Sequence, residues 1–523
     1  MADTIETTGF LYNVVGYPGA ADPVIHPRCV EMMAHMFGLS AAPVSKCRVL
    51  ELGCADGTNL LPYAEEFPGS EFVGVDLTND RILEASSRAE KLGLSNIRFR
   101  HANVTEVDEN WGHFDYIQVP GVFSWATDSE RQAILDCCRR NLKPGGAAVI
   151  SWNVYPGWKQ LGMVRDFIRR HVRVFHDALT QISEARRAVD FLARCTPEKS
   201  LTWNVFQDAR DRFQKSTDHY IFHDFISEHN QPFYFYEFDE FLRDHGLQFV
   251  AEADMTQTAA PGLPLETQQT LRHSKVPERE QLLDFLVSTT YRRSIVTHRE
   301  TTLNRRIDYR SIAGCSLALA EIPVPREFDV TSPDLLELKY SAGSLCTSEP
   351  LGKAALRILM NIWPRTIPLN ELCTEARRMI PAELQGARGA SSDRPDGDII
   401  LAQAMLAACA AGLVRAFRTA PTICTVVSEF PRAAGVARLL AVEHPRLIVN
   451  RWHQNLTHLT PEERFLLSRL DGTRSVADLC QMPAEVLQSQ PVSADRPESP
   501  RSAEDMVREK LALFAREYRL LVE

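Results

Sequence analysis

Paired cysteines at metal or redox spacing are missing: the twelve cysteines are scattered without a Cys-x-x-Cys, and Cys137 and Cys138 are neighbours. No zinc ribbon, metal site or disulfide framework is expected, and the thiols are read as reduced and mostly buried. Also missing is any run of 18 apolar residues, and "MADTIETTGFLYN" at the N-terminus has no basic segment leading into an apolar one. No membrane insertion and no secretory leader are expected, which makes the chain a soluble cytoplasmic protein on this reading. Positive charge is in deficit. A formal net charge of −10 repels phosphate backbones and argues against a nucleic-acid partner. What remains is ordinary globular material, 44% hydrophobic and 24% charged over 523 residues, long enough for one sizeable core with further domains appended.

The first third alternates apolar strands with helical stretches. "RVLELG" (48–53), "EFVGVD" (71–76), "IRFRHA" (97–102), "FDYIQV" (114–119) and "GAAVISW" (146–152) are separated by helix-like segments such as 79–93 and 129–142. That alternation predicts an α/β fold with a parallel sheet covered by helices on both faces. Helical material follows over about 157–230 as an insertion. "FYEFDEFLRDHGLQFVAEADM" (235–255) then reads as a helix, a Gly stop and a returning strand, and "YRRSIVTHR" (291–299) as a strand closing the sheet. After 310 the pattern changes. Three helices and a short strand between 352 and 418 suit a winged-helix-like module, 459–480 reads as two short helices around Asp471-Gly472, and 384–398 and 488–505 read as exposed or disordered loops.

The stretch "VLELGCADGTNL" (49–60) ends a strand on Glu51 and turns through Gly53 and Gly57. Glycines at such a switch let backbone N–H groups approach a ligand that a Cβ would hold off. Asp76, ending the second strand 19 residues after Gly57, is placed to accept from both hydroxyls of a ribose. A dinucleotide reader is disfavoured: G-x-G-x-x-G is missing, and Glu51 would crowd a pyrophosphate with like charge. A cationic nucleoside resolves this. S-adenosylmethionine carries an α-ammonium and a sulfonium, and "E-L-G-C-A-D-G-T-N" resembles the first motif of class I methyltransferases. Ala55 departs from the commoner Gly. Asn103 falls where adenine contacts are made in this fold; capping of a surface turn is the alternative.

Longer segments extend the resemblance. "YNVVGYPGAADPVIHPRCVEMMAHMFGL" (12–39), "FDYIQVPGVFSWATD" (114–128), "LKPGGAAVISWNVYPGW" (142–158), "HDFISEHNQPFYFYEFDEFLRDHGLQFVAEADM" (223–255) and "LTPEERFLLSRLDGTRSVADL" (459–479) together resemble bacterial class I methyltransferases with a methyltransferase regulatory region, among them the outer-membrane-protein lysine methyltransferases. The family's usual His and Tyr are Pro120 and Phe123 here. The resemblance implies a Rossmann-like methyltransferase domain over 1–310, with the helical insertion at about 157–235 and the regulatory region at about 215–300. It also implies a middle winged-helix-like domain over 311–425 and a small C-terminal domain over 426–523. The cofactor would be S-adenosyl-L-methionine, held by Glu51, Gly53, Cys54, Ala55, Gly57, Asn59, Asp76, Leu77, Asn103, Val104 and Pro120. The acceptor would be a protein lysine; alternatives are a small molecule methylated on nitrogen or oxygen, or a non-catalytic cofactor-binding regulator.

Methyl transfer from a sulfonium needs positioning more than a dedicated base. A lysine must first shed a proton, at a cost of about 4 to 5 kcal/mol at pH 7 from its reference pKa, so an apolar aromatic mouth is sought. Tyr12, Tyr17, Phe123, Trp125, Tyr155 and Trp158 are candidates, though each ring is more readily explained by packing. Tyr12, Ser124, Trp125, Asn153 and Tyr155 form the expected catalytic set. His26-Pro27-Arg28 is read as a helix cap, with Arg28 leaning on the cofactor's carboxylate. The Asn-Pro-Pro-aromatic pattern of DNA amino-methylation is missing at "VPGVFSW". The basic runs 169–176 and 291–310 are read as solvated faces or edges.

Overall fold

The computed structural model describes residues 15–16, 19–260, 262–385, 397–444, 446–481 and 503–522. Seven strands form the main sheet: β1 (Arg48–Leu52), β2 (Glu71–Asp76), β3 (Ile97–His101), β4 (Phe114–Val119), β5 (Leu142–Asn153), β6 (Leu247–Glu252) and β7 (Tyr291–His298). Their order is β3-β2-β1-β4-β5-β7-β6. The pairs from β3 through β5 are parallel, while β7 runs antiparallel to both β5 and β6. The last strand in sequence therefore wedges into the sheet instead of ending it. The order reverses between β1 and β4, and the carboxyl ends of those strands open a crevice where such folds take ligands.

β4 is buried at all six positions, as expected of a strand covered on both faces. On one face Leu50, Leu52, Ile117, Val119, Ile150 and Trp152 pack with the helices Asp128–Asn141 and Phe235–Asp244. On the other, Val49, Tyr116 and Val149 share a core with the helix Pro27–Met36 and, continuing outward, with Leu317, Leu356, Leu440, Leu466 and Phe514 from the last two-fifths of the chain. Helix Asp128–Asn141 stops where Leu142 already begins β5, so Lys143-Pro144-Gly145-Gly146 is taken into a strand longer than the expected 146–152, with a bulge opposite Phe114 and Tyr116.

The insertion is helical: Gly157–Val172, Ala178–Cys195, Trp203–Lys215 and Asp218–Ile221, followed by one π turn at Phe222–Ile226. It has its own small core around Trp158, Phe213 and Phe225. Beyond residue 310, the helices Pro350–Ile362, Leu369–Met379 and Gly397–Ala410 pack with an antiparallel sheet of Ile367–Pro368, Ser316–Leu319 and Val414–Phe417. The last segment places Gly435–Glu443, Pro461–Ser468, Val476–Cys480 and Ala503–Arg516 beside two-residue strands. Most of 384–398 and of 488–505 lies outside the described residues. All twelve cysteines are free thiols. Among the described residues no helix is long and apolar enough to cross a membrane, and no group of His, Cys, Asp and Glu has the makings of a metal site.

Candidate active site

β1 ends on Leu52, and the chain turns at once: Gly53 and Gly57 have φ of 83° and 74°. A Cβ on Gly57 would meet the Phe99 ring at 2.7 Å, so the turn presents bare backbone. Ala55 also lies in the left-handed region, at φ 47°, which costs an L-residue roughly 1 to 2 kcal/mol. That conformation is held by Asp76, whose carboxylate accepts from the N–H of Ala55 at 2.8 Å and from that of Thr78 at 2.9 Å. Burial pushes the Asp76 carboxyl up, and those donors pull it back. A carboxylate offers about four acceptor sites, so two remain for hydroxyls in the crevice.

Glu51 is 1% exposed and sits in register with Gly74 of β2 and Gln118 of β4. Burial pushes its carboxyl up to about 8, with the Asp76 and Asp22 carboxylates adding to the effect and the Asn59 amide opposing it. Asn59 Nδ2 donates to Glu51 Oε2 at 2.7 Å. Its Oδ1 accepts from the N–H of Asp22 at 3.0 Å, from Tyr63 OH at 3.3 Å and from His453 Nε2 at 2.8 Å. A backbone N–H can only donate, so the amide is oriented without ambiguity and His453 carries its proton on Nε2. A buried acid with no cation beside it among the described residues, next to a glycine-lined turn, suits a ligand that brings an ammonium. The cradle, the spare acceptors of Asp76 and the acid at Glu51 fit S-adenosylmethionine.

Across the crevice, Ser124 Oγ accepts from the N–H of Asn153 at 2.8 Å, and Asn153 Nδ2 donates to Asn230 Oδ1 at 2.8 Å. The Trp125 indole N–H is buried without a hydrogen-bond partner among the described residues. Tyr155 is half-buried against Tyr234, with ring centroids 5.3 Å apart, and Lys159 Nζ stands 4.0 Å from the centre of the Tyr155 ring. Leu77 and Pro120 border the turn: the Leu77 carbonyl meets His101 Nε2 at 3.0 Å, and the Pro120 carbonyl faces Gly53. Cys54 is buried beneath the turn. Asn103 caps the turn Val104–Glu106 by accepting from the N–H of Thr105 at 2.9 Å, and its amide donates to Glu130 at 3.0 Å.

Other expectations resolve differently. Tyr12 and Tyr17 lie outside the described residues. Phe123 is enclosed by Phe233 and Phe238, and Trp158 by the core of the insertion; both rings are packing. His26 does cap its helix, Nδ1 accepting from the N–H of Arg28 at 3.0 Å. Arg28, expected to reach the cofactor, instead pairs with Glu66 at 2.5 Å and stacks on Phe67. The run 291–299 is not a solvated edge: Arg292 is buried between Glu252, Glu280 and Asp284 at 2.7 to 2.9 Å. His453, Gln118 and Asn230 went unread in the sequence. His453 stands 394 residues from Asn59, and no local pattern marks it.

Residues 49–146 match the family model described as Methyltransferase domain. The chain carries a methyltransferase domain. Two more models follow this methyltransferase domain: Predicted methyltransferase regulatory domain over 217–298, and PKMT, C-terminal winged helix domain over 429–517. The winged-helix match falls on the last segment, not on the middle one from which the sequence pattern suggested it. An uncharacterized protein of Rickettsia prowazekii is 33% identical over 314 residues, covering 60% of this chain and 57% of its own length. A second from that organism is 28% identical over 236 residues, 45% of this chain and 94% of its own. The chain thus spans little more than half of the first relative. Among solved structures, PKMT2 from Rickettsia typhi in complex with AdoHcy matches 97% of this chain and 100% of its own at a TM-score of 0.83 and 23% identity. The fold of the methyltransferase domain and of the segments after it is shared with that structure.

Proposed function

We propose that the chain is an S-adenosylmethionine-dependent methyltransferase acting on lysine side chains of proteins. The observation that carries the cofactor reading is the pair of buried acids at the ends of adjacent strands, Glu51 and Asp76, around a turn stripped of side chains. Asp76 accepts the ribose hydroxyls with the acceptor sites its backbone donors leave free. Glu51 receives the α-ammonium, and the Gly53–Gly57 turn lets the backbone close on the ligand. Leu77, Asn103 and Val104 flank the adenine side, and Cys54, Ala55 and Pro120 line the turn. The bound cofactor supplies an electrophilic methyl group on a sulfonium.

Ser124, Trp125, Asn153 and Tyr155 face the acceptor side and have only to hold a neutral amine in line. Support for lysine comes from two places. Lys159 already lays its ammonium over the Tyr155 ring and lies 5.8 Å from the Tyr234 ring, so this mouth accommodates a lysine head group. The winged-helix model and the structural neighbour both bear the name PKMT, which stands for protein lysine methyltransferase. The test is incubation of the full chain with methyl-labelled cofactor and bacterial protein. Labelled methyl-lysine is expected in the acid hydrolysate, and Asp76→Ala is expected to lower it to background. Label confined to small molecules would remove the lysine assignment and leave the methyltransferase.

A further inference from the structure

The last segment does not hang from the methyltransferase domain; it grips the helix of the first crossover, the end of the helix after β2 and the stretch ahead of β1. Glu65 accepts from the N–H groups of Gly435 and Val436 at 2.5 and 3.1 Å, the open first turn of the helix Gly435–Glu443. Lys91 pairs with Glu443 at 2.6 Å, and Arg451 with Glu66 at 3.2 Å. Asn455 bonds both ways to the backbone of Ala21, at 3.1 and 2.8 Å. At the centre of these contacts is His453, 3% exposed, with its ring edge-on to His26 and tilted against Tyr63.

His453 has φ of 60°, a left-handed conformation that a non-glycine residue keeps only when its surroundings impose it. Here Asn450 imposes it: its side chain accepts from the N–H groups of Trp452 and Gln454, both at 2.9 Å, and its carbonyl accepts from that of His453. The loop is thus shaped to deliver the imidazole to Asn59 Oδ1, where it makes the shortest of three converging hydrogen bonds. With the oxygen pinned, the Asn59 amide nitrogen is turned toward β1 and β4, where it donates to Glu51 Oε2 at 2.7 Å and more weakly to Gln118 Oε1 at 3.5 Å.

We propose that His453 is a positioning residue for the cofactor's amino-acid end: the C-terminal segment fixes Asn59, and Asn59 presents Glu51 to the α-ammonium. The inference rests on reading the crevice as an S-adenosylmethionine site. The groups facing His453 are His26, Arg28 and Tyr63, with Glu65, Glu66 and Arg451 lining the same small cavity, and burial holds its imidazole down to about 3, so it stays a neutral Nε2–H donor through the assay range. Those facing Glu51 are Asp22, Asp76, Asn59 and Tyr63. Asn59 favours the charged carboxylate against the two neighbouring acids, so loosening it makes Glu51 harder to ionise.

The experiment is calorimetric titration of the full chain with S-adenosylhomocysteine between pH 5.5 and 8.5, with thermal unfolding recorded at each pH. His453→Ala and His453→Phe, the latter keeping ring volume without a donor, are expected to weaken binding about tenfold at neutral pH. In both, the acid limb of the affinity profile should move up by about half a pH unit, a shift that loss of packing alone would not produce. His453→Gln, which restores a neutral donor, is expected to return both quantities most of the way. Should His453→Ala fail to fold, His453→Phe decides. Wild-type affinity and an unmoved acid limb in a folded His453→Phe would overturn the inference while leaving the cofactor reading intact. No heat from the wild-type chain would overturn the cofactor reading first.

Discussion

Glu51 concentrates the tension of the site into one side chain. Its carboxyl is buried beside the carboxylates of Asp76 and Asp22 and is held up to about 8 against an ordinary 4.5. The folded state therefore binds a proton there that the unfolded chain would release. Stability from this group is fully present below pH 4.5 and is lost as pH rises through about 8. Thermal unfolding of the unliganded chain between pH 5.5 and 8.5 is expected to show this as a falling Tm, with Glu51→Gln giving a flatter profile than wild type. An equal slope in both would detach the effect from Glu51. At this scale the sequence was a good guide. An acid closing a strand before a glycine turn, and a second acid closing the next strand, are local patterns, and Glu51, Gly53, Gly57 and Asp76 stand together as their spacing implied. The Ala55 departure also has a visible cause, since Asp76 holds that backbone N–H in a conformation glycine would adopt freely. Arg28 was misread because its partner, Glu66, depends on how two helices meet.

Among the elements, β7 is the instructive one. Its alternation identified it as a strand closing the sheet, but periodicity says nothing about which neighbours a strand takes, and it entered between β5 and β6. That placement buries Arg292, and the chain compensates with three carboxylates: Glu252 on β6, and Glu280 and Asp284 on the helix Val276–Val287. Arg292 thereby ties the helix Val276–Val287 to the sheet. Arg292→Met would leave buried acids without their cation. The expected loss is about 3 to 5 kcal/mol of unfolding free energy, measurable by urea titration, and a loss under 1 kcal/mol would show that the cluster relaxes by taking up protons. The helical insertion was legible because its helices are long and amphipathic. In the last segment the two short helices on either side of Asp471-Gly472 were legible, but the paired strands Arg432–Ala433 and Leu521–Val522 were not: they are two residues each and far apart in the chain, too short to leave a period.

Taken whole, the molecule is organised around a core that crosses segment boundaries. Val49 and Tyr116 of the sheet, Leu356 of the middle segment and Leu440 and Phe514 of the last belong to one continuous apolar cluster. A chain ended at residue 425 would expose the face it shares with the last segment and take from Asn59, Glu65 and Glu66 the partners that segment supplies, His453, the Gly435 and Val436 N–H groups and Arg451. Such a truncation is expected to bind S-adenosylhomocysteine at least about tenfold more weakly than the full chain and to unfold at lower urea; undiminished affinity would show the sheet to be self-sufficient. The left-handed loop at His453 has a temporal implication too. Translation delivers it well after the last strand of the sheet, so a polypeptide still emerging from the ribosome can have its glycine turn in place and yet lack a finished seat for the nucleoside. On this view, competence to capture the methyl donor arrives only once the segment bearing His453 has been made and has docked.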